Sequence, residues 1–193
     1  YGVRLLLTEV SLGVGGGERI GVVGRNGDGK TTLVRVLCGL EPVDAGRVSR
    51  ARGLRVGHLT QQDDLPGAES VRAAVFGDPA DHEWAADPTT REMVTVLLAG
   101  VGLDRRVAEL SGGERRRCSL VRLLLDEVDL LALDEPTNHL DVEAVAWLAG
   151  HLARRTSALV VVTHDRWFLD EVCQTTWEVH DATVDSYEGG YAA

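Results

Sequence analysis

The sequence predicts an α/β fold built around a parallel β-sheet, and three observations lead to this prediction. Short apolar segments of strand length alternate with segments of helical composition along most of the 193 residues. Two of the apolar segments, 129–133 and 158–163, are almost uninterrupted, as in strands that are buried on both faces of a sheet. A glycine-rich loop joins another short apolar segment, 19–23, to a helical one. Strands that alternate with helices in this way form parallel sheets with right-handed connections.

The individual elements are predicted in chain order. Strands are expected at 4–14, at 19–23, twice within 47–59, and at 129–133, 158–163, 176–179 and 183–187, with an antiparallel edge beside the parallel sheet. Helices are expected at 31–40, 114–127, 142–153 and 166–172. Residues 65–110 differ because they contain three prolines and two helical stretches, 71–76 and 91–99. They predict a small helical subdomain between two parts of an α/β core, 1–64 and 111–193.

Composition narrows the range of functions. The formal net charge is −10, so the overall field repels phosphate and does not suit a non-specific nucleic-acid binder. The apolar runs are too short to cross a bilayer, and no signal peptide opens the chain, so any membrane role would need a partner subunit. Three widely spaced cysteines lack metal-ligand spacing and indicate reduced thiols in a cytoplasmic protein.

The glycine-rich loop has the spacing of a phosphate-binding loop. Its sequence, GRNGDGKTT, fits G-x-x-x-x-G-K-[ST] between a predicted strand and a predicted helix, a context that an ordinary glycine turn would not require. Backbone N–H groups of such a loop and the helix N-terminus bind phosphate, the lysine reaches the β- and γ-phosphates, and the hydroxyl binds Mg²⁺. Asp28 is expected to point outward. The predicted nucleotide contacts are Gly24, Arg25, Asn26, Gly27, Asp28, Gly29, Lys30, Thr31 and Thr32.

A second candidate group follows the apolar strand at 129–133. Asp134 and Glu135 come where an open α/β sheet presents its ligands. By itself an apolar run that ends in two acids indicates only a surface turn. Together with a phosphate loop it predicts the other half of a nucleoside triphosphatase site of the P-loop type, with Asp134 on Mg²⁺ and Glu135 polarising the attacking water.

The segment LSGGE, residues 110–114, names a family. Ser111, Gly112 and Gly113 at a helix N-terminus make a second anion site, although the segment alone could be a capped helix. With the phosphate loop before it and the acidic strand end after it, the sequence resembles the ATP-binding cassette (ABC) ATPases, whose signature is LSGGQ or LSGGE. The resemblance implies that Ser111–Glu114 closes over ATP held by a second ABC domain, in the same chain or in a homodimer.

The same resemblance assigns four more positions. Gln61 matches the glutamine that senses Mg²⁺ and the attacking water, although Gln62 is an alternative. His164, at the end of a strand, matches the histidine that touches the γ-phosphate. Asp141 matches a loop that contacts the opposite domain. Tyr1, located 29 residues before Lys30, lies where the family places an aromatic ring that stacks on adenine.

Within the family, the segments EPTNHLD, THDRWFLDEV and YEGGY resemble the ABC-F group. These are soluble two-cassette proteins associated with the ribosome as translation factors or antibiotic-resistance proteins, so the chain is expected to be the first half of a longer, cytoplasmic one. Only 49 residues separate Gln61 from Ser111, too few for the long helical arm of some members, so ribosomal contacts would use parts missing here. The ATPase subunit of a membrane transporter is the alternative, and a module that hydrolyses poorly is a third.

Three arginines after the signature segment, residues 115–117, are expected to form a solvated helix face, with an RNA or domain contact as the less favoured interpretation.

Overall fold

The computed structural model describes residues 6–59, 65, 70–77 and 84–190. Within them the strands are β1 (Arg19–Gly24), β2 (Val56–Leu59), β3 (Leu130–Asp134), β4 (Ala158–Val162), β5 (Thr175–His180) and β6 (Thr183–Glu188). The helices are α1 (Lys30–Cys38), α2 (Val71–Phe76), α3 (Pro88–Leu97), α4 (Gly112–Leu125), α5 (Val142–Arg154) and α6 (Arg166–Val172), with a 3₁₀ turn at Val107–Glu109.

The described residues group into two compact units. The core unit lies within Tyr1–His58, Val128–Pro136 and Ala149–Ala193. The helical unit lies within Leu59–Glu127 and Thr137–Leu148. No helix of the described ranges combines the length and the apolar character needed to cross a membrane.

The six strands form one sheet in the order β2-β3-β4-β1-β5-β6. Strand β4 pairs in parallel with both β1 and β3, β1 also pairs in parallel with β5, and β5 pairs with β6 in antiparallel fashion. The predicted α/β fold with a parallel sheet and an antiparallel edge is therefore confirmed. Because β1, β3 and β4 run in the same direction, their carboxyl ends meet at one edge of the sheet.

One part of the core of this unit lies between the sheet and α1. Strands β3 and β4 are buried along their whole length, which explains their near-continuous apolar sequences. Leu33 and Val34 of α1 pack with Ile20, Val22 and Val160 in one buried cluster. Each such side chain contributes about 1.5–3 kcal/mol when it is fully buried, so the cluster holds α1 firmly at the end of β1.

Local capping residues fix the ends of the helices in the helical unit. The Ser70 hydroxyl accepts the N–H of Ala73 at the start of α2, and the Asp87 carboxylate accepts that of Thr90 at the start of α3. Pro88 occupies the first position of α3, where a missing N–H costs nothing. Both polar residues directly precede helical stretches in the sequence, and both helices fall close to their predicted ranges.

Two predicted strands are wrong. Residues 6–14, the described part of the strand expected at 4–14, have no strand structure, although Thr8 donates its N–H to the Ala182 carbonyl at 2.6 Å. Of the two strands expected within 47–59, only β2 forms. Residues 47–53 are exposed, so Val48, the single valine among them, has no core to pack against.

The arginines after the signature segment also differ from the prediction of a solvated face. Arg116 is buried, with 8% of its surface exposed. Arg117 Nη1 donates to the carbonyl oxygens of Leu97 and Ala99 at 3.3 and 3.0 Å, at the end of α3. A cation at a helix C-terminus satisfies carbonyl groups that have no partner within the helix. Arg117 therefore ties the first half of α4 to the end of α3.

Candidate functional site

The phosphate loop connects β1 directly to α1, as predicted. Gly24, Gly27 and Gly29 all have positive φ angles, of 146°, 87° and 104°. A Cβ atom on Gly24 would lie 2.4 Å from the carbonyl oxygen of Val179, so no other residue fits there without displacing β5. The three positive φ angles curl the loop tightly, which is the backbone shape that a phosphate-binding loop requires.

Lys30 begins α1 and folds back over the loop. Its ammonium group donates to the carbonyl oxygens of Gly24 and Arg25 at 2.9 and 3.0 Å, and only 8% of the residue is exposed. An ammonium group has three donors, so two of them position the charge above the loop and the third can reach a bound anion.

Asp28 behaves differently from the sequence prediction. Its carboxylate is turned into the loop, where Oδ2 accepts the backbone N–H of Arg25 at 3.0 Å. The backbone N–H of Asp28 in turn donates to the Arg25 carbonyl at 3.3 Å. Asp28 therefore closes the loop on itself through two hydrogen bonds with Arg25.

The contact between the two predicted motifs is direct. Thr31 Oγ1 donates a hydrogen bond of 2.8 Å to Oδ2 of Asp134, although the two residues lie 103 positions apart in the sequence. Asp134 is the last residue of β3 and is 1% exposed. A threonine hydroxyl and one carboxylate at this distance suit Mg²⁺, which keeps several water or phosphate ligands. No group of three or more His, Cys, Asp or Glu side chains in the described ranges could hold a metal ion by itself.

Glu135 follows Asp134 in a backbone conformation that few residues other than glycine adopt, with φ of 51°. Its N–H donates to the Val162 carbonyl at 2.7 Å, which ties the turn to the end of β4. Its Oε1 lies 3.4 Å from Nε2 of His164. The glutamate side chain is 16% exposed and the histidine side chain 58%. The predicted acid and the predicted histidine are thus neighbours at one edge of the sheet.

A polar cavity of about 480 Å³ borders this edge of the core unit. Gly24, Arg25 and Asp28 line it from the phosphate loop, and His164 and Arg166 line it from the end of β4 and the start of α6. Its volume and its mixture of charged and backbone groups suit a polar ligand next to the loop.

The signature segment forms the start of α4 in the helical unit, and this start is referred to below as the signature tip (Ser111–Glu114). Ser111 and Glu114 form a reciprocal capping box, in which the hydroxyl accepts the N–H of Glu114 and the carboxylate accepts the N–H of Ser111. The S-x-x-E spacing is visible in the sequence. The backbone N–H of Ser111, the guanidinium of Arg105 and the Ser111 hydroxyl, in this order, lower the pKa of Glu114 to about 2.

Two further contacts in the helical unit involve His139 and Asp141. A Cβ atom on Gly113 would lie 3.3 Å from Cβ and Cγ of His139, so glycine at this position allows the histidine to approach. Asp141 Oδ1 accepts the N–H of Ala144 at 2.8 Å and caps α5. The sequence did not predict the contact between His139 and Gly113, because neither residue belongs to a periodic pattern.

Most of the predicted site residues lie within the described part of the chain, and two do not. Arg25, Asn26, Gly27 and Thr32 lie in the loop and the first turn of α1, and Gly112 is exposed at the signature tip. Tyr1 and Gln61, with the alternative Gln62, lie outside the described residues.

A parallel sheet whose strand ends gather a glycine-rich loop, a lysine and a threonine–aspartate pair defines a nucleoside triphosphatase domain of the P-loop type. The ABC transporter family matches residues 7–138, which is more than half of the chain. The chain therefore belongs to the ABC family and carries its ATPase domain, which confirms the family that the signature segment predicts. Domains of this family bind ATP.

Two curated relatives match the whole chain. The energy-dependent translational throttle protein EttA of Mycobacterium tuberculosis (strain ATCC 25618 / H37Rv) is 36% identical over an alignment of 229 residues. The alignment covers 100% of this chain and 41% of that protein. The tylosin resistance ATP-binding protein TlrC of Streptomyces fradiae is 36% identical over an alignment of 234 residues. The alignment covers 100% of this chain and 43% of that protein. Both are ABC-F proteins, the group that the sequence resembles. The chain spans less than half the length of either one.

A solved structure described as the ATP-binding subunit of an ABC transporter superposes with a TM-score of 0.79. The match covers 97% of this chain and 85% of that one at 20% identity. At this identity the likeness supports the fold alone.

Proposed function

We propose that this chain binds Mg²⁺–ATP in the phosphate loop and hydrolyses it when a second ABC domain closes over the nucleotide. The observation that carries the proposal is the hydrogen bond of 2.8 Å between Thr31 and Asp134, because it joins the two motifs that a triphosphatase needs. The division of the chain into a core, 1–64 and 111–193, and a subdomain, 65–110, remains a prediction.

Each residue at the strand ends has a separate role in the proposed reaction. The loop N–H groups and Lys30 bind the β- and γ-phosphates, and Thr31 and Asp134 hold Mg²⁺, which offsets phosphate charge. Glu135 orients the attacking water, and His164, 3.4 Å from it, contacts the γ-phosphate. We assign adenine stacking to Tyr1 and Mg²⁺ and water sensing to Gln61 from the family resemblance.

The second ABC domain supplies a further contact to the γ-phosphate through its signature tip. The exposed signature tip presents a serine and two glycines at a helix N-terminus, an arrangement that attracts anions. In the proposed pair, the tip of each domain contacts the γ-phosphate on the other. Closure by ATP and separation after hydrolysis would make the pair a two-state clamp.

The wider role follows from the named relatives. We propose that the protein carrying this domain is a soluble, cytoplasmic ABC-F protein that acts on the ribosome, since two relatives at 36% identity are named for translation and for tylosin resistance. Co-sedimentation of the intact protein with ribosomes, with and without ATP, tests this role. Binding to a membrane subunit instead of ribosomes would favour the alternative, a transporter subunit.

Replacing Glu135 with Gln tests the chemistry. We expect turnover of ATP to fall by at least about 100-fold, because the water loses its orienting carboxylate, while ATP binding persists. Phosphate release and equilibrium binding of ATP measure the two effects separately. Glu171→Gln, an exposed change on α6, serves as the control and should retain turnover. Unchanged turnover in Glu135→Gln would remove Glu135 from the proposed reaction.

A further inference from the structure

The fourth residue of the signature tip places a negative charge where the proposed function requires an anion to bind. Glu114 Oε2 accepts hydrogen bonds from both the N–H and the hydroxyl of Ser111, at 2.8 and 2.9 Å. The other oxygen, Oε1, accepts Nη1 of Arg105 at 2.6 Å. The Arg105 guanidinium also donates from Nη2 to the Glu109 carbonyl at 3.1 Å. Arg105 is therefore anchored to the turn that precedes the tip.

These contacts create a competition for one hydrogen atom. The Ser111 hydroxyl has a single proton, which it donates to Glu114. A phosphate oxygen that approaches the tip would need the same proton, and it would be repelled by the carboxylate. The pKa of Glu114 is about 2, so the carboxylate keeps its charge at neutral pH.

We infer that Arg105 is a positioning residue of the signature tip: it holds the Glu114 carboxylate from the side opposite Ser111 and offsets its charge, so that the Ser111 hydroxyl can pass from Glu114 to the γ-phosphate on a second ABC domain. The inference rests on the proposed function. The carboxylate shares its electron density between Ser111 and a cation, and a shared acceptor releases the hydroxyl more readily. A neutral glutamine in place of Glu114 would need no such cation.

The test measures ATP turnover of this chain as a function of its own concentration, with Mg²⁺–ATP as the ligand. In Arg105→Ala the uncompensated carboxylate opposes the incoming phosphate, so we expect half-maximal turnover at about tenfold higher chain concentration. Turnover at saturating chain concentration should change much less. The shift should shrink at about 0.5 M salt, because salt screens exposed charges.

Three matched variants separate charge from structure. Adding Glu114→Gln to Arg105→Ala should recover most of the shift, and Arg105→Lys should show a smaller shift than Arg105→Ala. Asp104→Ala removes the neighbouring ion pair with Arg72, of 3.0 Å, and should leave turnover unchanged. Far-ultraviolet circular dichroism and the melting temperature of every variant check that the helical unit still folds.

The possible outcomes have different consequences. A salt-sensitive shift that Glu114→Gln reverses supports the inference. A shift that is insensitive to salt and is not reversed indicates a structural role only and overturns it, as does an unshifted Arg105→Ala. If the wild-type chain shows turnover that does not depend on concentration, the shared site of the proposed function fails, and the inference fails with it.

Discussion

The phosphate loop and the signature tip are both glycine-rich segments at the N-terminus of a helix, but they are built in different ways. Lys30, at the end of the loop, and Asp134, at the end of β3, are 8% and 1% exposed, and the hydrogen bond between Thr31 and Asp134 joins residues 103 positions apart. In the signature tip, Ser111 is exposed and its bonds to Glu114 span three positions. The loop is thus completed by the tertiary fold, whereas local sequence completes most of the tip.

Because of this difference, substitutions in the two regions should affect stability and turnover differently. A change in the loop disturbs buried groups that the core unit needs, so it should reduce stability and turnover together. A change at the signature tip disturbs an exposed helix end, so it should reduce turnover with little loss of stability. Matched substitutions in the two regions test this difference.

The largest contrast is expected between Gly24→Ala and Gly112→Ala. A Cβ on Gly24 would lie 2.4 Å from the Val179 carbonyl at a φ of 146°, whereas nothing lies within 4 Å of one on Gly112. Gly24→Ala should cost more than about 3 kcal/mol in the free energy of unfolding, and Gly112→Ala should be neutral or stabilise α4 by up to about 1 kcal/mol. Urea denaturation monitored by circular dichroism measures both. Equal stability of the two variants would contradict the claim that the loop is the more buried of the two regions.

A smaller contrast is expected between the two hydroxyl groups. Thr31→Val removes one charge-assisted hydrogen bond from the buried Asp134 and should cost about 2 kcal/mol. Ser111→Ala removes a helix N-cap and should cost about 1 kcal/mol. Turnover should fall in both. For a chain of this size, melting temperatures would differ by roughly 2–4 °C between the variants. A larger loss for Ser111→Ala would contradict the assignment of the tip as the less buried site.

The smallest effect concerns the pH dependence of the signature tip. The pKa of Glu114 is about 2, below its ordinary value of 4.5, so the folded chain binds fewer protons than the unfolded chain between these values. Its contribution to stability is therefore complete above about pH 4.5 and declines as the pH falls toward about 2. The stability difference between wild type and Glu114→Gln should narrow from pH 6 to about pH 3.5 in urea denaturation. A constant difference would mean that the capping box does not hold the ionised carboxylate in solution.

The same contrast explains what the sequence could and could not predict. Buried strands and capped helices carry local signals, so β3, β4, α2 and α3 were predicted close to their observed bounds. The motif spacing also predicted that Thr31 and Asp134 would meet. The bond between Asp28 and Arg25, and that between Arg105 and Glu114, depend on side-chain directions that no periodicity records. Residues 6–14, the described part of the strand expected at 4–14, form no strand because apolar residues predict a strand only where a neighbouring strand pairs with it.

The central claim is that each ATP is hydrolysed between the loop of one ABC domain and the signature tip of another. The most direct test mixes two inactive variants of this chain, Glu135→Gln and Ser111→Arg. In a mixed pair, the Ser111→Arg chain contributes an intact loop and the Glu135→Gln chain contributes an intact tip. These two meet at one of the two sites. Equal mixing should therefore restore about a quarter of wild-type turnover, since half of the pairs are mixed and each has one working site of two. Turnover that stays at the level of the separate variants, at concentrations where the wild-type chain is active, would contradict the shared site.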